Sequence, residues 1–590
     1  MTAKGDITGT HRSRPRTAAL VLTTAASLVL ALMAPASAPA RAAADQPDLT
    51  RFYAQRIAWE DCAAEMADEA RRTWASSEEK LPAAMARAEC GDIDVPRDYA
   101  APSGPAGTAK IAMLRIGAAD AKRRIGSLVL NFGGPGLSGR LALNSHLPEL
   151  ARLNERFDLV APDPRGVGNS DPVFCRPPDE PPDEPSDAPA DAPADHDQTP
   201  DTADEARRVA DAQRRYNARC DEARDVLPWV GTTNAARDLD VLRAALGDDK
   251  LHYLGFSYGT KLGANYLHQF PGRAGKFVLD GVDDPTVDTR GAALANTRAF
   301  QLALDDFLAD CVRQGPKECP LGASAAAARR TVEDRFKALD GTSVRAGEGR
   351  LDQGTFTEAV QASLYSRTKG WPPLRAALAD LVVRGDGTAL AALGGQTFTG
   401  TSRPDTAGTS PPDTRPVTPG LPPAVPGVLP AVPGLPLTAP GTLPAAPGDR
   451  EQQESDALRA VSCRDTAERP TPADFLAAVD EFTEASPVFG RRTAAAMLQC
   501  TGWPVPGDDS AREVAAEDAP PALLVGTRGD PATPYENTAH MADALGNDSR
   551  ILTYEGEGHG AYVTPSTCVH EHVERYLTEG RLPDEGTTCR

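Results

Sequence analysis

Apolar residues fall in short, dense runs in the first half of the chain and again near its end. The runs are Lys110–Ile116, Ser127–Phe132, Phe157–Ala161, Leu251–Leu254, Lys276–Asp280, Ala522–Thr527 and Ile551–Tyr554. Runs of this length, apolar on both faces, predict buried strands of a parallel sheet. Helical spacing lies between them. Leu239, Leu242 and Leu246 predict a helix over Asn234–Leu246 with Thr233 as its N-cap. A helical-looking segment reaches about Glu89, and strands are expected from Lys110 onward. From about Thr286 to Asp518 the pattern changes to helices rich in Ala, Leu and Arg, such as Ala292–Cys311 and Ala325–Leu339. Alternation returns at Pro521. The expectation is an α/β fold with a mostly parallel central sheet and an inserted α-helical cap. Its parts are a core over 45–285, the cap over 286–518 and the rest of the core over 519–590.

Two stretches break the pattern. Residues 176–205 hold eleven Asp or Glu, all between Asp179 and Glu205, with many prolines. Such a run cannot bury an apolar face and is expected to be disordered. Between Asp179 and Glu205 there is no Lys or Arg, so that stretch supplies more than half of the net charge of −21. Residues 401–450 hold fourteen prolines, with Leu-Pro recurring at 421, 429, 435 and 443. That composition favours extended polyproline conformations and reads as a linker, with a proline-rich ligand as the alternative.

The start of the chain has its own logic. Lys4, Arg12, Arg14 and Arg16 precede a mostly apolar run from Ala18 to Ala34, and Ala42-Ala43-Ala44 offers small residues for cleavage. Residues 1–44 therefore read as a secretory signal. A membrane anchor is the competing reading, but the run is short, contains Thr23, Thr24 and Ser27, and ends at Pro35. No other stretch is long and apolar enough to span a bilayer, and no basic patch suggests nucleic acid. Ten cysteines fit an exported, disulfide-bonded chain. They fall in sequence-adjacent couples: Cys62 with Cys90, Cys175 with Cys220, Cys311 with Cys319, Cys463 with Cys500, and Cys568 with Cys589. Pairing by proximity is the simplest arrangement, although sequence alone leaves connectivity open. No spacing of Cys or His matches a metal site, so neither metal nor organic cofactor is expected.

The chemistry concentrates at Gly255-Phe256-Ser257-Tyr258-Gly259. This is the G-x-S-x-G pattern of a nucleophile elbow, in which a strand turns sharply into a helix with the serine at the apex. An acid and a histidine should follow in that order. Asp530, in Asp530-Pro531-Ala532-Thr533-Pro534, and His559, in Gly558-His559-Gly560, each come just after a predicted strand. Asp280, at the end of the strand after the elbow, is the rival acid. His252 competes weakly, since it lies within the strand before the elbow. Upstream, Gly133-Gly134-Pro135-Gly136 closes another strand. The N–H of Gly134 there could join that of Tyr258 as an oxyanion hole. Asp163 and Arg165 read as structural residues of the neighbouring turn.

Taken together, these motifs resemble the secreted bacterial tripeptidyl aminopeptidases, serine exopeptidases of the α/β-hydrolase fold related to proline iminopeptidases. The resemblance rests on Gly133–Gly139, Asp163–Gly168, Gly255–Thr260, Asp530–Pro534 and Gly558-His559. It rests also on Trp59…Cys62, Ala88-Glu89-Cys90, Val95–Tyr99 and the C-terminal Cys568…Cys589. It implies a peptidase that acts near a free N-terminus, with Ser257, His559 and Asp530 as its triad and peptides as its partners. A carboxylate must then hold the substrate's ammonium, and Glu454, Asp456 and Asp465 around Cys463 are candidates. Two alternatives stay open: an esterase or other acyl hydrolase on the same fold, and a non-catalytic binding protein.

Overall fold

The computed structural model describes residues 47–73, 82–175, 199–347, 349–394 and 447–590. The signal segment 1–44 lies outside the described residues, as do 176–198 and 401–446 of the two Pro-rich stretches. Residues 199–205, expected to be disordered, instead lead into a helix at Ala203–Ala218. The reason is local. Thr202 and Glu205 form a reciprocal capping box, which a reading of bulk charge passes over.

The chain from Pro47 onward is one compact unit. Its centre is a ten-stranded sheet. The strands are β1 (Glu60–Asp61), β2 (Ala88–Pro96), β3 (Thr108–Ile116), β4 (Gly126–Asn131), β5 (Phe157–Pro162), β6 (Leu251–Phe256) and β7 (Ala274–Asp280), then β10 (Leu523–Gly529), β11 (Arg550–Glu557) and β12 (Thr588–Cys589). A separate hairpin of β8 (Val344–Ala346) and β9 (Gly349–Leu351) lies in the helical block. The order across the sheet is β1-β2-β3-β5-β4-β6-β7-β10-β11-β12. The first three pairings are antiparallel and the other six parallel.

Period-2 alternation splits the strand residues between two cores. Val129, Val160, Tyr253 and Phe277 pack on one face with the helices Thr232–Leu246 and Tyr258–Gln269. Leu128, Leu130, Leu254 and Val278 pack on the other with the helix Thr567–Glu579. Truncating Leu254, which is wholly buried, to alanine is expected to cost about 2–5 kcal/mol.

The stretch between β7 and β10 is helical apart from the β8–β9 hairpin, among the described residues. It has its own core around Phe300, Phe307, Phe356 and Trp371. None of the described helices is long and apolar enough to cross a membrane. Five disulfides are present: Cys62–Cys90, Cys175–Cys220, Cys311–Cys319, Cys463–Cys500 and Cys568–Cys589.

Two local expectations need correction. β2 was not anticipated, although Ile93 and Val95 are buried while Asp92 and Asp94 face outward. Its polar half belongs to an antiparallel edge, where only one face needs to be apolar. The helix expected from Asn234 starts at Thr232, with Gly231 as its N-cap. Thr233 does not cap it, and its hydroxyl bonds that of Ser510 at 2.9 Å.

Candidate active site

β6 ends at Phe256, and Ser257 follows with φ 55° and ψ −127°. A residue with a β-carbon takes that conformation only when its surroundings impose it. Here the Ser257 N–H donates to the Asp280 carbonyl at 3.0 Å, and the Thr260 N–H donates to the Ser257 carbonyl at 2.8 Å. The Thr260 hydroxyl donates to the same carbonyl at 2.6 Å. The flanking glycines are forced by space. A β-carbon at Gly255 would lie 2.5 Å from the Gly259 carbonyl oxygen, and one at Gly259 would lie 2.6 Å from that of Asn131. The G-x-S-x-G spacing is therefore a packing requirement of the turn as much as a chemical signature.

The turn after β4 closes over the serine. Gly133 has φ 98°, and a β-carbon on it would lie 2.8 Å from Cβ of Ser257. Gly136, in the same turn, meets the helix Pro447–Arg464: a β-carbon there would lie 2.5 Å from the Glu454 carbonyl oxygen. Tyr258 opens the elbow helix, so its N–H has no acceptor within that helix. Its buried ring is fixed at the far end. The Tyr258 hydroxyl donates to Thr232 Oγ1 at 2.6 Å, and the Thr232 hydroxyl donates to the Asp465 carboxylate. Burial pushes the Tyr258 phenol well above its ordinary pKa.

Asp530 follows β10 and His559 follows β11. His559 Nδ1 lies 2.9 Å from Asp530 Oδ1 and 3.0 Å from Oδ2. The acid is held by its own turn. Oδ1 accepts the N–H groups of Ala532 and Thr533, each at 2.9 Å, and Oδ2 accepts the Thr533 hydroxyl at 2.9 Å. The Asp-Pro turn and the orienting carboxylate are thus one structure. The histidine is anchored from the helical block. Its N–H donates to the Tyr365 carbonyl at 2.9 Å, and the Tyr365 ring meets the imidazole edge-on at 5.3 Å. Burial disfavours the imidazolium. The Asp530 charge and hydrogen bond, helped by Asp280 and Asp283, outweigh it and raise the pKa of His559 above its ordinary value.

Asp280, the rival acid, has another job. Its carboxylate accepts the N–H groups of Ala561 at 2.9 Å and Tyr562 at 2.7 Å. Its carbonyl holds Ser257, so this one residue joins the elbow to the histidine loop. Burial raises its carboxyl to about 6. His252 accepts the Lys276 N–H at 3.0 Å within the sheet, away from this arrangement. Arg165 and Asp163 brace the adjacent turn. Arg165 bonds Asp238 Oδ2 at 2.7 Å, and Asp163 accepts the Ser138 hydroxyl at 2.7 Å.

A cavity of about 750 Å³ opens beside Asp530, lined by both the core and the helical block. Of the three carboxylates singled out for an ammonium, Asp465 lines it. Asp456 does not, and is used up by the Cys175 N–H at 2.9 Å and by Tyr216 and Gln452. Glu454 sits against the Gly136 turn, where burial raises it to about 7. Sequence reasoning missed Gly281, Thr533 and Tyr365. Gly281 had a signal: it directly follows a strand-end aspartate and takes φ 67°. A β-carbon there would lie 3.3 Å from the His559 ring and 3.5 Å from Asp530 Oδ2.

Residues 126–380 match the family described as the alpha/beta hydrolase fold, and residues 486–589 match the TAP-like protein family. The chain is 32% identical over 521 residues to serine protease Hip1 of Mycobacterium tuberculosis, covering 85% of this chain and 87% of that one. It is 30% identical over 545 residues to the tripeptidyl aminopeptidase of Streptomyces lividans, covering 90% and 86%. The chain belongs to the tripeptidyl aminopeptidase-like serine hydrolases of the α/β-hydrolase fold. Within the reach of this likeness there is also carboxylesterase B of Mycobacterium tuberculosis, at 28% identity over 518 residues, covering 85% and 86%. The relatives at 32% and 30% identity carry peptidase names, and the one at 28% carries an esterase name.

Proposed function

We propose that the protein is an exported serine exopeptidase that releases short peptides from substrates with a free N-terminus. Ser257 would attack the scissile carbonyl carbon. His559 would accept the serine proton and hand it to the leaving amine. An acyl-enzyme would form and then be hydrolysed by a water activated by the same imidazole. Asp530 would fix the tautomer with the proton on Nδ1 and stabilise the imidazolium. The N–H groups of Gly134 and Tyr258 would receive the oxyanion. The observation that carries this reading is the Asp530–His559 pair at 2.9 Å, joined through Asp280 to a serine in a strained elbow. The likeness to proteins named serine protease and tripeptidyl aminopeptidase supports the peptide substrate. Five disulfides suit an oxidising compartment outside the cytosol, and residues 1–44 supply the export signal. Residues 286–518 act as a cap on the core formed by 45–285 and 519–590.

The esterase reading uses the same triad and differs only in what the cavity selects. Amine release from a fluorogenic tripeptide amide, its N-acetylated twin and a Ser257→Ala control separates the two. The peptidase reading expects cleavage of the free form alone, lost in the variant. Failure to cleave either, with Ser257 still reactive toward simple esters, would move the protein to the acyl esterases.

A further inference from the structure

Glu557 closes β11, two residues before His559. The ends of β10 and β11 pair at Gly529 and Glu557, and Asp530 follows Gly529 directly. A β-carbon on Gly529 would run into Glu557 Oε2, so only glycine leaves room there for the carboxyl. The Gly558 N–H donates to the Gly529 carbonyl at 3.2 Å. One side chain therefore lies across both strand ends that carry the acid and the histidine.

A loop of the helical block meets the same place. Residues 365–367 follow the helix Gln353–Leu364 and press on Gly558. A β-carbon on Gly558 would lie 2.9 Å from the Tyr365 carbonyl oxygen and 3.7 Å from the Arg367 nitrogen. That Tyr365 carbonyl holds the His559 N–H. Arg367, two residues on, reaches Asp310 at 3.3 Å. Asp310 also meets Arg313 at 3.0 Å and Arg375 at 2.9 Å, so it keeps two guanidiniums if Arg367 leaves.

Glu557 has no such match. Its Oε2 is buried and accepts no hydrogen bond among the described residues. From the helix Thr289–Arg313 it faces Asp306 and Asp310, which oppose its charge, and Arg313, which favours it. From the loop it faces Arg367, which also favours it. On its own pair of strands, Arg528 and Glu555 lie 3.6 Å apart and answer each other. Burial, and Asp306 after it, raise the Glu557 carboxyl to about 7. A proton held more tightly here than in water favours the docked arrangement below that value and weakens it above.

Ionisation changes the competition for Arg367. With Glu557 protonated, Arg367 stays on Asp310. Once the proton passes to solvent, a carboxylate with a buried, unpaired oxygen lies beside the loop, and pairing relieves its cost. Arg367 sits on a loop rather than a helix, so its move carries the backbone of residues 365–367 with it.

We propose that Glu557 is a positioning residue that works as a proton-operated latch: its neutral form keeps the loop 365–367 seated on His559, and its ionised form draws Arg367 off Asp310 and unseats that loop. The proposal rests on the triad reading of Ser257, His559 and Asp530, and not on the peptide as substrate.

The test follows the second-order rate at which a neutral fluorophosphonate labels Ser257. This reaction needs the histidine but no peptide and no titrating substrate, so failure of the exopeptidase reading leaves it intact. With rising pH the wild-type rate should climb as His559 loses its proton, then fall about threefold to tenfold by about pH 9 as the anchor loosens. Glu557→Gln has the shape of the protonated form and should keep the neutral rate while losing the fall. Arg367→Gln should lose the fall too, because the ionised carboxylate then has no loop cation to draw, and it reads the latch if Glu557→Gln does not fold. Glu555→Gln, at an exposed glutamate of the same strand, should keep the fall. A wild type that levels off without falling overturns the latch. So does a Glu557→Gln variant that falls like the wild type or is slowed equally at every pH. Absence of labelling at any pH removes the triad reading, and the latch with it.

Discussion

The ends of β7 and β10 lie side by side in the sheet, and each presents a buried aspartate near His559. Their chemistry differs because their surroundings differ. Asp530 stands in a turn whose N–H groups and Thr533 hydroxyl satisfy both oxygens and still leave them open to Nδ1 of His559. Asp280 spends its oxygens on the backbone of Ala561 and Tyr562. One carboxylate therefore orients the imidazole, while the other clamps the loop that carries it. Strand-end position alone does not assign a triad acid. The hydrogen bonds already committed at each oxygen are what support Asp530 in that proposed role.

Replacing each aspartate by asparagine breaks this comparison most sharply. Asp530→Asn keeps the shape but favours the wrong tautomer, and kcat should fall by about 10³–10⁴-fold with little change in melting temperature. Asp280→Asn should do the reverse. One amide hydrogen bond is lost and the histidine loop loosens, costing about 1–3 kcal/mol of stability, while kcat falls by only about tenfold. Thermal unfolding and steady-state kinetics on both variants check the contrast.

Acidity sharpens it further. In the proposed mechanism His559 must be neutral to accept a proton, so its raised pKa should move the acid limb of kcat/KM above the ordinary imidazole value. Asp530→Asn should move that limb down more than Asp280→Asn, because Asp530 is the larger source of the rise. Stability follows the other residue. Burial raises the Asp280 carboxyl from 3.8 to about 6, so the folded state keeps a proton that the unfolded chain has already released. That contribution is full below 3.8 and is lost as pH rises through about 6. Asp280→Asn should flatten this part of the stability–pH curve, read by melting temperature across the range.

The histidine's contact with the helical block gives the smallest effect. Tyr365→Ala keeps the carbonyl that anchors His559 but removes the ring against the imidazole. The expected loss in kcat is about three- to tenfold.

Much of this site was legible in the sequence because its parts are glycine-rich turns at strand ends. Gly255, Gly259 and Gly133 are demanded by contacts under 3 Å, and such demands leave fixed spacings. The pairing of Asp530 with His559 was readable from strand order, since each follows a strand end of the same sheet. Tyr365 and the contact of Lys261 with Asp465 were not. They arise from contacts between segments far apart in the chain, which no local periodicity encodes. β2 escaped because an antiparallel edge needs only every second residue to be apolar. The start of the helix Ala203–Ala218 escaped because a capping box was hidden inside an acidic run.

The most direct test of the account is the ratio of kcat for Asp530→Asn to that for Asp280→Asn, measured on one free-amine tripeptide amide at a pH where His559 is neutral. The account predicts that Asp530→Asn is the slower by about 100-fold or more. Equal rates, or turnover surviving in Asp530→Asn and vanishing in Asp280→Asn, would contradict it and make the strand-end clamp the triad acid.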